Sequence, residues 1–197
     1  MTTTDAGIGM RVKSGWATAV LVSGSVQAPK VIDRRTVELC DPSDSATRQP
    51  YHAAMGKLET DEEVTARRGK VIRGVACKSM SELIADYRSD GYRLQVVAIV
   101  VGSDIDPARI ANPHIRAHAL EGRLFRSVVE EGGAAAGLTC SVIVERVAYK
   151  RASEALNRSE EELKRIVAGL KGTLPGSWRA DDKLAALAGW VALAAVP

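Results

Sequence analysis

The chain lacks most of the signatures that mark the commonest chemistries. Its three cysteines, Cys40, Cys77 and Cys140, are scattered through 197 residues without CxxC or CxxH neighbours. An odd, dispersed set builds neither a disulfide framework nor a cysteine zinc site, and it fits a reducing compartment. No GxSxG, Walker A or GxGxxG pattern occurs, so serine-hydrolase, P-loop and hydride-transfer chemistry have no motif support. Gly7-Ile8-Gly9-Met10 is too short to count as a phosphate loop. Charge of one sign is also missing: 27 basic residues face 24 acidic ones, a net +3. Composition therefore makes no case for a binder resting on bulk phosphate neutralisation, although a local basic patch is still allowed. The strongly apolar run Leu184 to Val196 falls short of the roughly 20 residues that span a bilayer, and reads as a buried helix. The opening residues have no apolar stretch after a basic start, so no secretory signal is expected and the expected location is the cytoplasm.

What is present is a hydrophobic fraction of 46%, ample for a core, and the simplest organisation is one domain over residues 1–197. Three strands are expected first, Ile8 to Lys13, Trp16 to Ser23 and Lys30 to Cys40, with turns at Ser14-Gly15 and Ser23-Gly24-Ser25. Such short connections force an antiparallel meander, because parallel pairing needs a crossover of a dozen or more residues. Residues 41–56 read as a long polar loop, and Leu58 to Arg88 as a helix that Gly69 and Gly74 interrupt. Arg93 to Val101 is an almost unbroken apolar run of the kind buried on both faces of a parallel sheet. A helix then starts at Asn112-Pro113, an N-cap followed by proline at the first helical position, and Gly132-Gly133 end or fray it. Thr139 to Val147 is a further strand. Helices over 148–157 and 159–171 follow, the second opened by the Ser159/Glu162 capping box, and residues 174–178 link to a last helix from Arg179.

This order, three meander strands, helix, strand, helix, strand, helices, predicts an α/β fold of the ribonuclease H-like kind. Its sheet is mixed and five-stranded, a three-strand antiparallel meander plus two parallel strands, with helices on both faces. Within that class the chain resembles RuvC-type Holliday-junction resolvases. The resemblance rests on Gly7-Ile8-Gly9 with Gly15 shortly after, Asn112 at the helix following the fourth strand, and the final helix beginning Asp181-Asp182-Lys183-Leu184-Ala185. It implies acidic side chains at the end of the first strand, the end of the fourth strand and the start of the last helix, converging on two divalent metal ions that drive phosphodiester hydrolysis. The chain departs from that pattern. Gly9 or Met10 stands at the first-strand position, and Val101-Gly102-Ser103 ends the fourth strand. Only Asp181 or Asp182 matches, with Asp104 and Asp106 displaced nearby, and a clamp missing its central carboxylate holds magnesium poorly.

The most distinctive segment runs from Asn112 to Arg126 and holds two of the three histidines and the sole phenylalanine. At 3.6 residues per turn His114, His118 and Glu121 form one stripe that continues into Phe125, Val128 and Val129. Arg116, Arg123, Arg126 and Glu130 lie on the other side. An inward stripe that begins polar points to a pocket at the strand ends, where open α/β sheets bind ligands. The helix N-terminus favours an anion there, and His-x3-His-x2-Glu would also offer three ligands to one metal. His52, in the long loop, would close over the pocket as a third imidazole. The alternative is that the histidines merely hydrogen-bond near a helix start and that Glu121 pairs with an arginine.

Three functional expectations follow. The first is a noncatalytic or diverged protein that binds nucleic acid or another phosphate-bearing ligand, with His114, His118, Glu121 and Asp182 as the central residues and Asn112, Arg116, His52 and Asp181 as further contacts. The second is a metal-dependent phosphodiesterase, using magnesium or manganese held by Asp104, Glu121 and Asp182, with Asp181 beside them and a histidine carrying the proton. The third is an assembly protein that packs the Leu184 to Val196 face on a partner or on a second copy. Arg34-Arg35 and Arg67-Arg68-Gly69-Lys70 are candidate phosphate contacts or plain solvated surface.

Overall fold

Tight turns dictate how the chain begins. In the computed structural model, which describes residues 3–196, β1 (Thr4–Lys13) and β2 (Trp16–Gly24) are joined through Ser14 and Gly15 and pair antiparallel from Lys13↔Trp16 to Ala6↔Ser23. Gly15 has φ +87, the left-handed backbone such a turn demands. β3 (Pro29–Glu38) continues the meander. The short α1 (Ser45–Arg48) and the long α2 (Glu62–Ser89) lead to β4 (Tyr92–Val101), which pairs parallel with β1. Then come α3 (Pro113–Ala135), β5 (Thr139–Val144) parallel to β4, and the helices α4 (Ala148–Leu156), α5 (Glu160–Gly169) and α6 (Ala180–Ala194). The sheet order is β3-β2-β1-β4-β5, the mixed five-stranded arrangement that the sequence predicts. Met1, Thr2 and Pro197, the ends of the span 1–197, lie outside the described residues.

Two apolar layers sandwich the sheet. Ala6, Ile8, Met10 and Val12 of β1 pack with Ile72, Met80 and Tyr87 of α2 and Phe125, Val128 and Val129 of α3. Val20 and Val22 of β2 and Ala98 and Val100 of β4 pack on the opposite side with α4, α5 and Leu184, Leu187 and Trp190 of α6. β4 is covered on both faces, which is why its sequence does not alternate. The apolar face of α6 is therefore used inside the chain, against β1, β2 and β4. No described helix is long and apolar enough to cross a membrane.

Several boundaries differ from those expected, each for a local reason. Asp61 accepts hydrogen bonds from the amides of Glu63 and Val64, so α2 starts at Glu62, and Leu58 instead forms a bridge with His52. Gly69 and Gly74 do not interrupt α2; both face open space. Gly132 and Gly133 lie within α3 and do not end it. A Cβ on Gly132 would stand 2.7 Å from Met80 of α2, and one on Gly133 would stand 2.6 Å from the Cys140 sulfur of β5, so close packing explains both glycines. β5 stops at Val144, and a 3-10 turn over Glu145–Val147 redirects the chain into α4.

Candidate functional site

The 41–56 loop carries its own framework. Thr47 is buried and its hydroxyl donates to the Asp44 carbonyl at 2.7 Å. Around the following turn the Ala53 amide donates to Lys57 O and the Glu59 amide to Tyr51 O, at 2.8 and 2.9 Å. Met55 and Gly56 both take positive φ there, 58° and 70°. Arg68 of α2 donates to the carbonyls of Pro50 and His52, at 2.9 and 3.3 Å, so this one residue of the basic run fastens the loop from within.

The loop so held delivers His52 to the start of α3. Asn112 caps that helix by accepting from the Ile115 amide at 3.1 Å, which sets His114, His118 and Glu121 along its inner edge. Ring centroids are 5.1 Å apart for His52 and His114, 4.5 Å for His52 and His118, and 4.6 Å for His114 and His118. All three histidines of the chain thus meet at one point. Glu121 lies beneath them with a fully buried side chain, and its Oε1 is 2.7 Å from His52 Nδ1. Its Oε2 is 3.4 Å from His118 Nδ1 and has no hydrogen-bond partner. His114 Nδ1 bonds the Gly56 carbonyl at 2.9 Å. Arg116 supports the helix start by donating to the Ile110 carbonyl at 2.8 Å.

The aspartate candidates do not join this cluster. Asp182 is buried beyond the other face of the sheet, where its Oδ2 accepts from the Arg179 amide at 2.6 Å and faces Arg34 at 3.4 Å. Its role is the helix cap, and Arg34, which also donates to the carbonyls of Ser177 and Pro175, ties the 174–178 linker down beside it. Asp104 pairs with Arg126, and Asp106 caps the 3-10 turn over Pro107–Arg109. Asp104, Glu121 and Asp182 therefore do not meet at a common point, and the structure separates Asp182 from His114 and His118 because α3 and α6 cover opposite sides of the sheet.

At the strand ends the structure brings in a residue that sequence reasoning did not single out. Arg11, near the end of β1, has a side chain only 5% exposed. Its guanidinium pairs with Glu145 just after β5, stands 3.6 Å from Asp181 at the start of α6, and donates to Val12 O at 2.8 Å and Val100 O at 3.4 Å. Lys13 reaches Asp181 at 3.1 Å. The resemblance calls for carboxylates and metal ions where β1, β4 and the last helix converge; a buried arginine joins those three elements here. An arginine inside the apolar run Ile8-Gly9-Met10-Arg11-Val12 was the signal that could have found it. Gly9, which with Met10 stands where the resemblance expects the first-strand carboxylate, lies directly under α6, and a Cβ there would fall 1.8 Å from Ala185 O. No side chain fits at that point.

Between the two centres lies a cleft of about 250 Å³ at the carboxyl ends of β1 and β4, lined by Arg11, Lys13, Ser14, Gly102, Ser103 and His118. His118 thus belongs to both the histidine cluster and the cleft. A larger, mostly apolar groove of about 1080 Å³ runs between β5, α4 and the last turns of α6.

No protein-family model and no curated protein sequence matches the chain. Among solved structures, it is similar to Thermus thermophilus RuvC in complex with Holliday junction substrate, with a TM-score of 0.58 and 14% identity over 95% of this chain and 92% of that one. It is likewise similar to a Thermus thermophilus RuvC structure, with a TM-score of 0.57 and 12% identity over 95% of this chain and 93% of the other. At these identities the likeness establishes the fold, which is RuvC-like and ribonuclease H-like.

Proposed function

We propose that the chain binds a phosphate-bearing ligand, a nucleic-acid strand in the first instance, in the cleft between Lys13 and His118, and that it does so without two-metal phosphodiester cleavage. Arg11 is the observation that carries this reading. Its guanidinium is buried against Asp181 and Glu145 where a two-metal centre requires cations held by carboxylates. Glu145 and Asp181 already neutralise it, and Gly9 leaves no room for another carboxylate. Lys13, which also reaches Asp181, and the Ser14 and Ser103 side chains line the cleft and are groups that hold phosphate oxygens. The location, at the carboxyl ends of adjacent parallel strands, is where open α/β sheets take ligands.

The related Thermus structure holds a Holliday junction, so a four-way DNA junction is the first probe, with duplex and single strands beside it. Fluorescence anisotropy over a salt series should give binding that weakens as salt rises. Lys13→Glu should weaken it further, and magnesium or manganese should yield no cleavage products. Absence of binding to every nucleic acid tried would remove the ligand half of the proposal, and metal-dependent strand scission would remove the noncatalytic half.

A further inference from the structure

We propose that His52, His114 and His118 form a three-imidazole site for a divalent transition metal of the zinc class, with Glu121 as the carboxylate that orients two of the rings. One nitrogen from each ring lies within 4.8 Å of one from both others. Zinc–imidazole bonds of about 2.0–2.1 Å in a tetrahedral site place such nitrogens roughly 3.3 Å apart. Small rotations of His114 and His118, both exposed, close that gap.

The hydrogen bonds decide which nitrogens are free. A carbonyl can only accept, so His114 Nδ1 carries the proton that bonds Gly56 O and leaves Nε2 a lone pair. The Glu121 carboxylate likewise accepts a hydrogen bond from His52 Nδ1–H. That leaves His52 Nε2 as a buried lone pair with no hydrogen-bond donor, on a side chain only 7% exposed. A bare buried acceptor is costly, and a metal ion satisfies it. Glu121 Oε2 is the second buried atom without a partner, 3.4 Å from His118 Nδ1. Closing His118 onto a metal brings that Nδ1 proton to the carboxylate, so one movement resolves both orphaned atoms. A ligating imidazole whose other nitrogen donates to a carboxylate or carbonyl is the arrangement that fixes the tautomer and raises ligand basicity.

The donor set also selects the ion. Three neutral imidazoles favour zinc, cobalt, nickel or copper over magnesium, which requires hard oxygen ligands. Three protein ligands on a four-coordinate ion leave one position for water or an anion, and His118 borders the cleft. The site stands independently of the cleft's proposed ligand, because the metal alone is its probe.

The test is a titration of untagged, chelator-stripped protein with cobalt(II), followed by zinc competition. One equivalent of cobalt should bind with the visible absorption of a low-coordinate site, zinc should displace it, and magnesium should not. His118→Ala and His114→Ala, at exposed side chains, should each weaken binding by about 100-fold or more, and Glu121→Gln by about 10–100-fold. Circular dichroism of each metal-free variant establishes that it is folded. If Glu121→Gln does not fold, the two exposed-histidine variants carry the test. Absence of saturable cobalt or zinc binding at micromolar metal would overturn the proposal, as would binding unchanged in both histidine variants.

Discussion

A single methyl group at Gly9 tests the packing that leaves no room for a side chain at that point of β1. In Gly9→Ala the new Cβ would lie 1.8 Å from Ala185 O and 2.8 Å from Gly189 N. A carbon–oxygen contact settles near roughly 3.3 Å, so α6 would have to withdraw by about 1.5 Å. Both obstacles are backbone atoms, so no side-chain rotation relieves them. Withdrawal opens a gap under Leu187 and Trp190, which pack in the same layer. Ordinary overpacking costs about 1–3 kcal/mol, and a shift of a whole helix belongs at or above the top of that range. For a domain of this size about 3 kcal/mol lowers Tm by roughly 6–12 °C. The assay is thermal and urea unfolding followed by circular dichroism. Gly69→Ala is the control: nothing lies within 4 Å of that position on α2, so it should be neutral or up to about 1 kcal/mol stabilising. A Gly9→Ala protein within about 0.5 kcal/mol of wild type would refute the steric argument. Gly9→Asp, which adds a charge to the same collision, should be worse still.

Two further predictions concern acid stability and the cap of α3. Burial alone would raise the Asp33 carboxyl, but hydrogen bonds from Arg35, the Arg34 amide and the Tyr87 hydroxyl outweigh it and hold the group below its ordinary value. The folded value is depressed, so this stabilisation is present above the unfolded value of about 3.9 and is lost as pH falls through the folded one. Asp33→Asn should therefore cost stability at pH 7 and flatten the decline below about pH 4; urea unfolding across that range, with an unchanged acid slope in the variant, would count against it. Asn112→Ala removes the acceptor for the Ile115 amide. It should cost about 1 kcal/mol, or about 2–4 °C in Tm, and an unaltered melt would mean that the cap is redundant.

Local chemistry was legible and long-range partnership was not. Ser14-Gly15 gave away the first turn, the continuous apolar run of β4 gave away its double burial, and Asn112-Pro113 marked the start of α3 to the residue. The inward stripe of His114, His118 and Glu121 followed from helical spacing alone. His52 sits opposite it only because Arg68 and a turn with two positive-φ residues fix the loop, and neither leaves a periodic trace in sequence. Gly132-Gly133 carries the same letters as a helix stop, yet its glycines serve contacts with Met80 and Cys140 on other elements. Asp182 was expected at the site because the resolvase resemblance implies a carboxylate at the start of the last helix. Its position on α6 and its partner Arg34 on β3 turn it to the opposite side of the sheet. Arg11 finds Glu145 and Asp181 only once the strands and α6 are assembled.

That arginine also changes how the strand ends respond to their surroundings. A counter-ion supplied by solution is lost on dilution, withdrawn by a chelator and exchanged among competing ions. One attached to the backbone of β1 is present at a fixed, saturating local concentration. Asp181 and Glu145 consequently have cationic partners, Arg11 and Lys13, as soon as the chain folds. A side-chain cation of this kind ties β1, β4 and the start of the last helix together from within the chain.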